Sequence, residues 1–323
     1  MGGIKSAVCL AALWLAGTNL NGMEARIPIY KNMIINAPGH YVVTRDIMSA
    51  AAPVIRILVP GVRLDLNGHE LSTTSTTAPV IEIAASPAIP GWWGIRGGRL
   101  SGGSRGIHKL AGNSGDQVYI EEVSIASTSA EGILLVSVER AEMLRVDVEG
   151  AVGSGMDIMG DLPTSTIRVR DSVVRNVGLH GIFLHTGAMN LPFTTTLTGN
   201  TVRGAGGYGI RVDGGGGGTV SDNHVAAFGG TTPGAAGIYY LAEPRPDPLI
   251  SLLLSGNTVA GGGTDDDGFR VLGKNSAVVT NNVIQHNGRY GMVFDCTGCR
   301  IAGNTVASNL NHGMVVLSGG TNS

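Results

Sequence analysis

The sequence is poor in charge: only 14% of its 323 residues are Asp, Glu, Lys or Arg. Long solvated helices laced by ion pairs need far more, so a helical surface architecture is excluded. Aromatic residues are scarce as well, at 5%. There is no basic excess either. Formal charge is −2, which argues against a nucleic-acid binder. Lysine is nearly missing, with only Lys5, Lys31, Lys109 and Lys274 among 22 basic side chains. The remaining arginines suit bidentate contact with carboxylate or sulfate, and are equally the mark of a GC-rich genome. No segment after the N-terminal region is long and apolar enough to cross a bilayer, so no membrane span is expected.

Cysteine is also sparse, and the three present are unequally placed. Cys9 lies in an apolar stretch, Ser6 to Gly17, that follows Lys5 and is too short to span a membrane. That pattern predicts an export signal over residues 1–25 and a secreted or periplasmic protein, with one domain over 26–323. Cys296 and Cys299 form a C-x-x-C in the stretch CTGC. In an oxidising compartment they suit a tight disulfide across a turn; two packed thiols are the alternative.

Glycine, by contrast, is abundant: 51 residues, about twice average usage, without the every-third spacing of collagen. Nine glycines open the same motif, small-Gly-apolar-x-apolar: Gly106, Gly132, Gly155, Gly181, Gly209, Gly237, Gly268, Gly291 and Gly313. They recur every 22 to 31 residues. Between them lies a second element, a polar-x-Val unit such as GNTV at 199, 256 and 303. Helical repeats are longer and poorer in glycine, and the leucine-rich pattern is absent. Short alternating strands with Asn and Gly turns at this period describe one coil of a parallel β-helix. The positions one and three after each glycine should point inward, and the Asn of the GNTV units should stack at a corner. PGHYVVTRDI (38–47) and VRLDLNGHELS (62–72) read as opening strands, and Gly214–Gly218 as a flexible turn. No polar cap follows the last motif, so a covered end, or association end to end or side by side, is expected.

From about Val62 onward these repeats resemble the pectate-lyase-like superfamily of right-handed β-helices. The resemblance implies an all-β, right-handed parallel β-helix solenoid of about ten to eleven coils. The superfamily includes pectate and alginate lyases, mannuronan C5-epimerases, polygalacturonases, phage tailspikes and periplasmic β-helix proteins linked to copper-enzyme maturation. Its implied partner is a polysaccharide.

The register itself selects candidate residues. One outer face should carry Asp157, His180, Phe183, His185, Tyr208, Arg211 and Asp213, followed by Tyr239, Asp267 and Arg270. These are ingredients for proton abstraction beside a uronate carboxylate. Arg211 or Arg270 would neutralise the carboxylate, His180 or His185 would act as base, and Tyr208 would supply a proton. Asp157 and Asp213 would orient a His or Arg. Elimination makes a lyase; reprotonation from the other side makes a C5-epimerase. The expected catalytic set is therefore His180, His185, Tyr208, Arg211 and Asp213. Asp157, Phe183, Tyr239, Asp267 and Arg270 are expected to bind substrate. The Asp-Pro-His motif typical of the epimerases is missing.

Two alternatives from other classes stand beside this. A carbohydrate-binding or envelope-assembly module would use Phe183, Tyr208 and Tyr239 as stacking platforms. A polygalacturonase-like hydrolase would use the acidic run Asp265–Asp267 and the His312-Gly313 pair. That acidic run also reads as a solvated loop or a Ca2+ site, the one cofactor the sequence raises. No other metal is expected; His180, His185 and Met189 make only a weak soft-metal set.

Overall fold

The structure, a computed structural model, describes residues 26–84, 89–187, 192–242, 251–274, 276–296 and 298–317. The apolar N-terminal stretch with Cys9, and Met189, lie outside the described residues. Among these residues there are 32 strands and no helix. All strands pair in parallel, each with the equivalent strand about one coil away. The chain thus winds as a β-solenoid of about eleven turns with three faces.

Sheet I holds the strands that follow the motif glycines, including Met156–Gly160, Ile182–Thr186, Ala236–Ala242 and Asp267–Lys274. Sheet II comes next in each turn, through Thr166–Arg170, Phe193–Thr198 and Leu252–Ser255. Sheet III closes the turn through Val173–Val177, Thr201–Ala205 and Thr258–Gly262. Period-two alternation sends Ile182 and Leu184, Ile210 and Val212, and Phe269 and Val271 into the core, where all six are fully buried.

The two sequence motifs are halves of one contact. A Cβ on Gly181 would lie 2.3 Å from Val202 and 2.5 Å from the Gly209 carbonyl. Val202 belongs to a polar-x-Val unit in the same turn, and Val225, Val259 and Ile284 crowd Gly209, Gly237 and Gly268 alike. Glycine is required because the valine of sheet III occupies the space beneath sheet I.

The corner between sheets II and III holds the asparagine column. Asn200, Asn223, Asn257 and Asn282 each donate from Nδ2 to the next asparagine's Oδ1, at 2.8 to 2.9 Å, ending on Asn304. Each also donates to a carbonyl of the preceding turn, Val169, Leu197, Val220 or Leu254. In the turn before Asn200 the column holds Ser172, whose backbone N–H donates to Asn200 Oδ1 at 3.1 Å, and before it the fully buried Val146 and Val123.

Two features depart from the sequence reading, the glycine run and the acidic turn, and one inward position holds an unexpected residue type. Gly214–Gly218 lies within the strand Ile210–Ser221 instead of forming a flexible turn. A Cβ on Gly215 would fall 2.2 Å from the Tyr240 hydroxyl, which donates to the Gly217 carbonyl at 3.2 Å inside the core. The glycine run makes room for an inward tyrosine. Lys109 also points inward and is fully buried, paired with buried Asp116 at 2.9 Å. Its ammonium reaches the Val136 and Ser137 carbonyls at 2.8 and 3.1 Å, while Asp116 accepts from the Gly91 N–H. Finally, the Asp265–Asp267 turn is not solvated throughout, since Asp266 and Asp267 are buried.

Cys296 and Cys299 are joined as a disulfide. In the last turn the inward file is partly open, with Met314 and Val316 exposed at 50% and 60%.

Candidate functional site

Sheet I places the candidate residues in vertical file. Asp157, Phe183, Arg211, Tyr239 and Arg270 are successive register partners. His185 and Asp213 pair in a second file two residues on. His180 and Tyr208 sit at the glycine corner beside them, and neighbours along a file are about 4.8 Å apart.

Arg211 is the centre of the group. Its guanidinium carbon stands 4.9 Å from the Phe183 ring, 5.0 Å from Tyr208 and 5.7 Å from Tyr239, within cation–π reach of all three. Asp213 anchors it through Nε at 2.9 Å and Nη2 at 2.6 Å. Burial works against its charge, but the Asp213 hydrogen bond and carboxylate charge hold its pKa above the usual arginine value. Nearby, Tyr239 has its phenol pKa raised by burial, then by the charge of Asp213.

The two histidines differ. His185 places Nε2 2.9 Å from Asp157 Oδ1 and stacks on Phe183 with ring centres 4.5 Å apart. As the Asp157 carboxylate can only accept, Nε2 donates to it, and in the neutral ring the lone pair is therefore on Nδ1. His180 instead faces two donors, the Tyr208 N–H at Nδ1 (3.2 Å) and Arg211 Nη1 at Nε2 (3.3 Å). Burial, then the Arg211 charge, lowers its pKa to about 4. His180 is therefore neutral near pH 7. One lone pair cannot satisfy both donors, so the ring accepts from either Arg211 or the Tyr208 backbone N–H and not from both at once.

Further along, the arrangement closes on itself. Asp267 is fully buried and accepts from Arg270 Nε at 2.8 Å and from Arg289 Nε and Nη2 at 2.8 Å each. It holds two arginines and does not face solvent, unlike its expected role in binding substrate. Arg289 was not singled out from sequence; its place two residues before Gly291 was the available signal. Asp266 accepts from the Gly263 and Ala235 N–H groups, and burial raises its pKa. Among the described residues no group of three or more His, Cys, Asp or Glu side chains is disposed to hold a metal ion.

The geometry so far is that of a parallel β-helix with a polar and aromatic cluster along one ladder. The profile of the family described as "Right handed beta helix region" matches residues 102–225 and 169–323, more than half of the sequence. The chain belongs to this family. No curated protein matches the sequence. Among solved structures, the chain is similar to the A-module of the mannuronan C-5 epimerase AlgE6 of Azotobacter vinelandii. Identity is 12% and the TM-score 0.47, over 91% of this chain and 89% of that one. No helix among the described residues is long and apolar enough to cross a membrane.

Proposed function

We propose that this protein acts on a uronate-containing polysaccharide laid along sheet I, removing the C5 proton of one sugar as a lyase or a C5-epimerase. The observation that carries the reading is the His185–Asp157 pair, one file from Arg211. Asp157 fixes the tautomer, leaving Nδ1 as base. Arg211, preorganised by Asp213 and three aromatic rings, meets the uronate carboxylate and stabilises the charge that develops beside C5. Tyr208 gives its phenolic proton. In a lyase the C5–H electron pair becomes the C4–C5 double bond and the protonated C4 oxygen leaves. In an epimerase the proton is delivered to C5 from the opposite side. His180 accepts from Arg211 or the Tyr208 N–H and is not the base.

The test is incubation with alginate, pectate and glycosaminoglycans. Unsaturated uronate is followed by absorbance, and exchange of the C5 proton with deuterated solvent by NMR. His185→Ala and Arg211→Ala should each lower turnover by roughly 10²- to 10⁴-fold. The absence of both unsaturated product and exchange with every polymer overturns the reading.

One observation favours a non-catalytic binding module instead. Each carboxylate on this face already has a partner: Asp157 with His185, Asp213 with Arg211, Asp267 with Arg270 and Arg289. Retained binding without turnover is its mark. A hydrolase is disfavoured because buried Asp267 cannot reach a glycosidic bond. Either polysaccharide reading fits a secreted or periplasmic protein, and the Cys296–Cys299 disulfide supports that placement.

A further inference from the structure

A groove of about 570 Å³ opens on sheet II in the early turns, on a different face from the His185 cluster. It is within the size range of small-molecule sites, about 300 to 1,000 Å³. Its cause is one missing side chain. Along sheet II, His40, Arg63, Gly94, Tyr119 and Glu142 are register partners, and only Gly94 leaves its place in the file empty.

Nothing in the backbone or packing demands that glycine. A Cβ there would meet only the Arg63 Cγ, at 3.9 Å, which is ordinary contact, and Gly94 is not among the positive-φ residues. The two flanking tryptophans explain what the gap adjoins. Trp93 points inward, fully buried, with its indole N–H donating to the Val59 carbonyl at 2.8 Å. Trp92 alternates outward and is 40% exposed at the groove, with the Arg63 guanidinium 5.5 Å from its ring.

Beside Leu64 and Ile95, the lining carries planar polar groups and the carboxylates of Asp65 and Glu121. Arg96 is held flat by Asp65 through Nη2 at 2.7 Å and Nε at 3.2 Å. Tyr119 donates to Gln117 Oε1 at 3.0 Å, so the Gln117 amide N–H groups and the Tyr119 oxygen lone pairs remain to meet a ligand. An exposed indole face beside fixed guanidinium, amide and phenol groups matches the two sides of a sugar ring. The C–H face stacks on the indole, and the hydroxyls exchange hydrogen bonds with the planar groups.

We infer that the Trp92–Gly94 groove on sheet II binds a pyranose unit of an oligosaccharide, as a second saccharide site apart from the cluster on sheet I. The inference rests on the reading that the ligand is a polysaccharide and asks nothing of proton transfer at His185. A chain engaged on sheet I would then have a second point of attachment on the same molecule.

The test follows the Trp92 indole N–H resonance, assigned with Trp92→Phe, in the full protein. The probes are tetrasaccharides of alginate, pectate and cellulose, with product formation read in parallel. At least one probe should shift the resonance saturably. Gly94→Leu, which fills the gap, should weaken that binding tenfold or more. Trp92→Ala, at an exposed position, should do the same by calorimetry. An unmoved resonance with every probe at millimolar concentration overturns the inference. So does unchanged affinity in folded Gly94→Leu and Trp92→Ala proteins. A shifted resonance without product keeps the groove and sinks lyase or epimerase activity. Product with an unmoved resonance does the reverse.

Discussion

The early and late turns solve the same corner differently. From Asn200 onward the bend between sheets II and III is one repeated device, an asparagine bonding the next asparagine and a carbonyl behind it. In the earlier turns that position holds Val123 and Val146, then Ser172, and the buried ion pair of this region, Lys109–Asp116, lies at another corner, between sheets I and II. A repeated device distributes the load over many equal bonds; a single pin concentrates it. The irregular early turns also hold the groove at Gly94.

Breaking the pin should have the largest effect. Lys109→Met leaves Asp116 as a buried charge and the Val136 and Ser137 carbonyls without a donor, at a cost of about 3–5 kcal/mol. Denaturant unfolding should register it, and a second change, Asp116→Asn, should recover part of the loss because the Gly91 bond survives. A loss below about 1 kcal/mol would remove the pin from the account.

Interrupting the column is the next test. Asn257→Ala orphans the Asn223 N–H and Nδ2 donors and the Val220 carbonyl, all buried. About 3 kcal/mol is expected from such a loss, read from the same unfolding curves. Asn304, whose position is partly exposed, should cost less when changed to Ala.

Acid should sharpen the comparison by touching one histidine in each region. Burial, then Arg105 for His108 and Arg211 for His180, lowers both pKa values to about 4. The unfolded forms titrate near 6.5, so the unfolded chain binds more protons as pH falls. Stability is therefore complete above about pH 6.5 and is lost between there and pH 4. After discounting for solvent screening, each histidine contributes about 1–2 kcal/mol. Melting temperatures at pH 7 and 4.5 should differ less in His108→Gln and His180→Gln than in the unaltered protein.

The smallest effect belongs to Gly94→Ala. With 3.9 Å to its nearest neighbour, a methyl group there should change stability by less than about 0.5 kcal/mol. A large loss would show that the glycine is structural, and would undercut the reason given for the gap.

Much of this was legible before any coordinates. The glycine spacing and period-two alternation put Asp157, Phe183, Arg211, Tyr239 and Arg270 on consecutive rungs, because one rung corresponds to one motif glycine. Side-chain partners were harder to read. Asp157 and Asp213 were legible as orienters, yet which histidine would be lodged against Arg211 depends on ring rotamers at a corner. Lys109 stood at an inward position of its motif, three residues after Gly106, and its register alone could have marked it as buried. Its partner Asp116 could not be found that way, since it lies in a turn outside the repeat. The groove was invisible for a related reason. No motif glycine precedes Gly106, so the file through Arg63, Gly94 and Tyr119 had no clock to align it. The family match likewise begins at residue 102.

The asparagine column has a consequence for how such a molecule changes length. Consecutive members are 23, 34, 25 and 22 residues apart, yet their bonds are alike to within 0.1 Å. Extra chain is shed at other corners while this one keeps count. Growth or trimming that carries one asparagine per added turn keeps every buried donor at this corner supplied, whereas a change that drops the asparagine alone leaves its neighbour's N–H and Nδ2 without their acceptor.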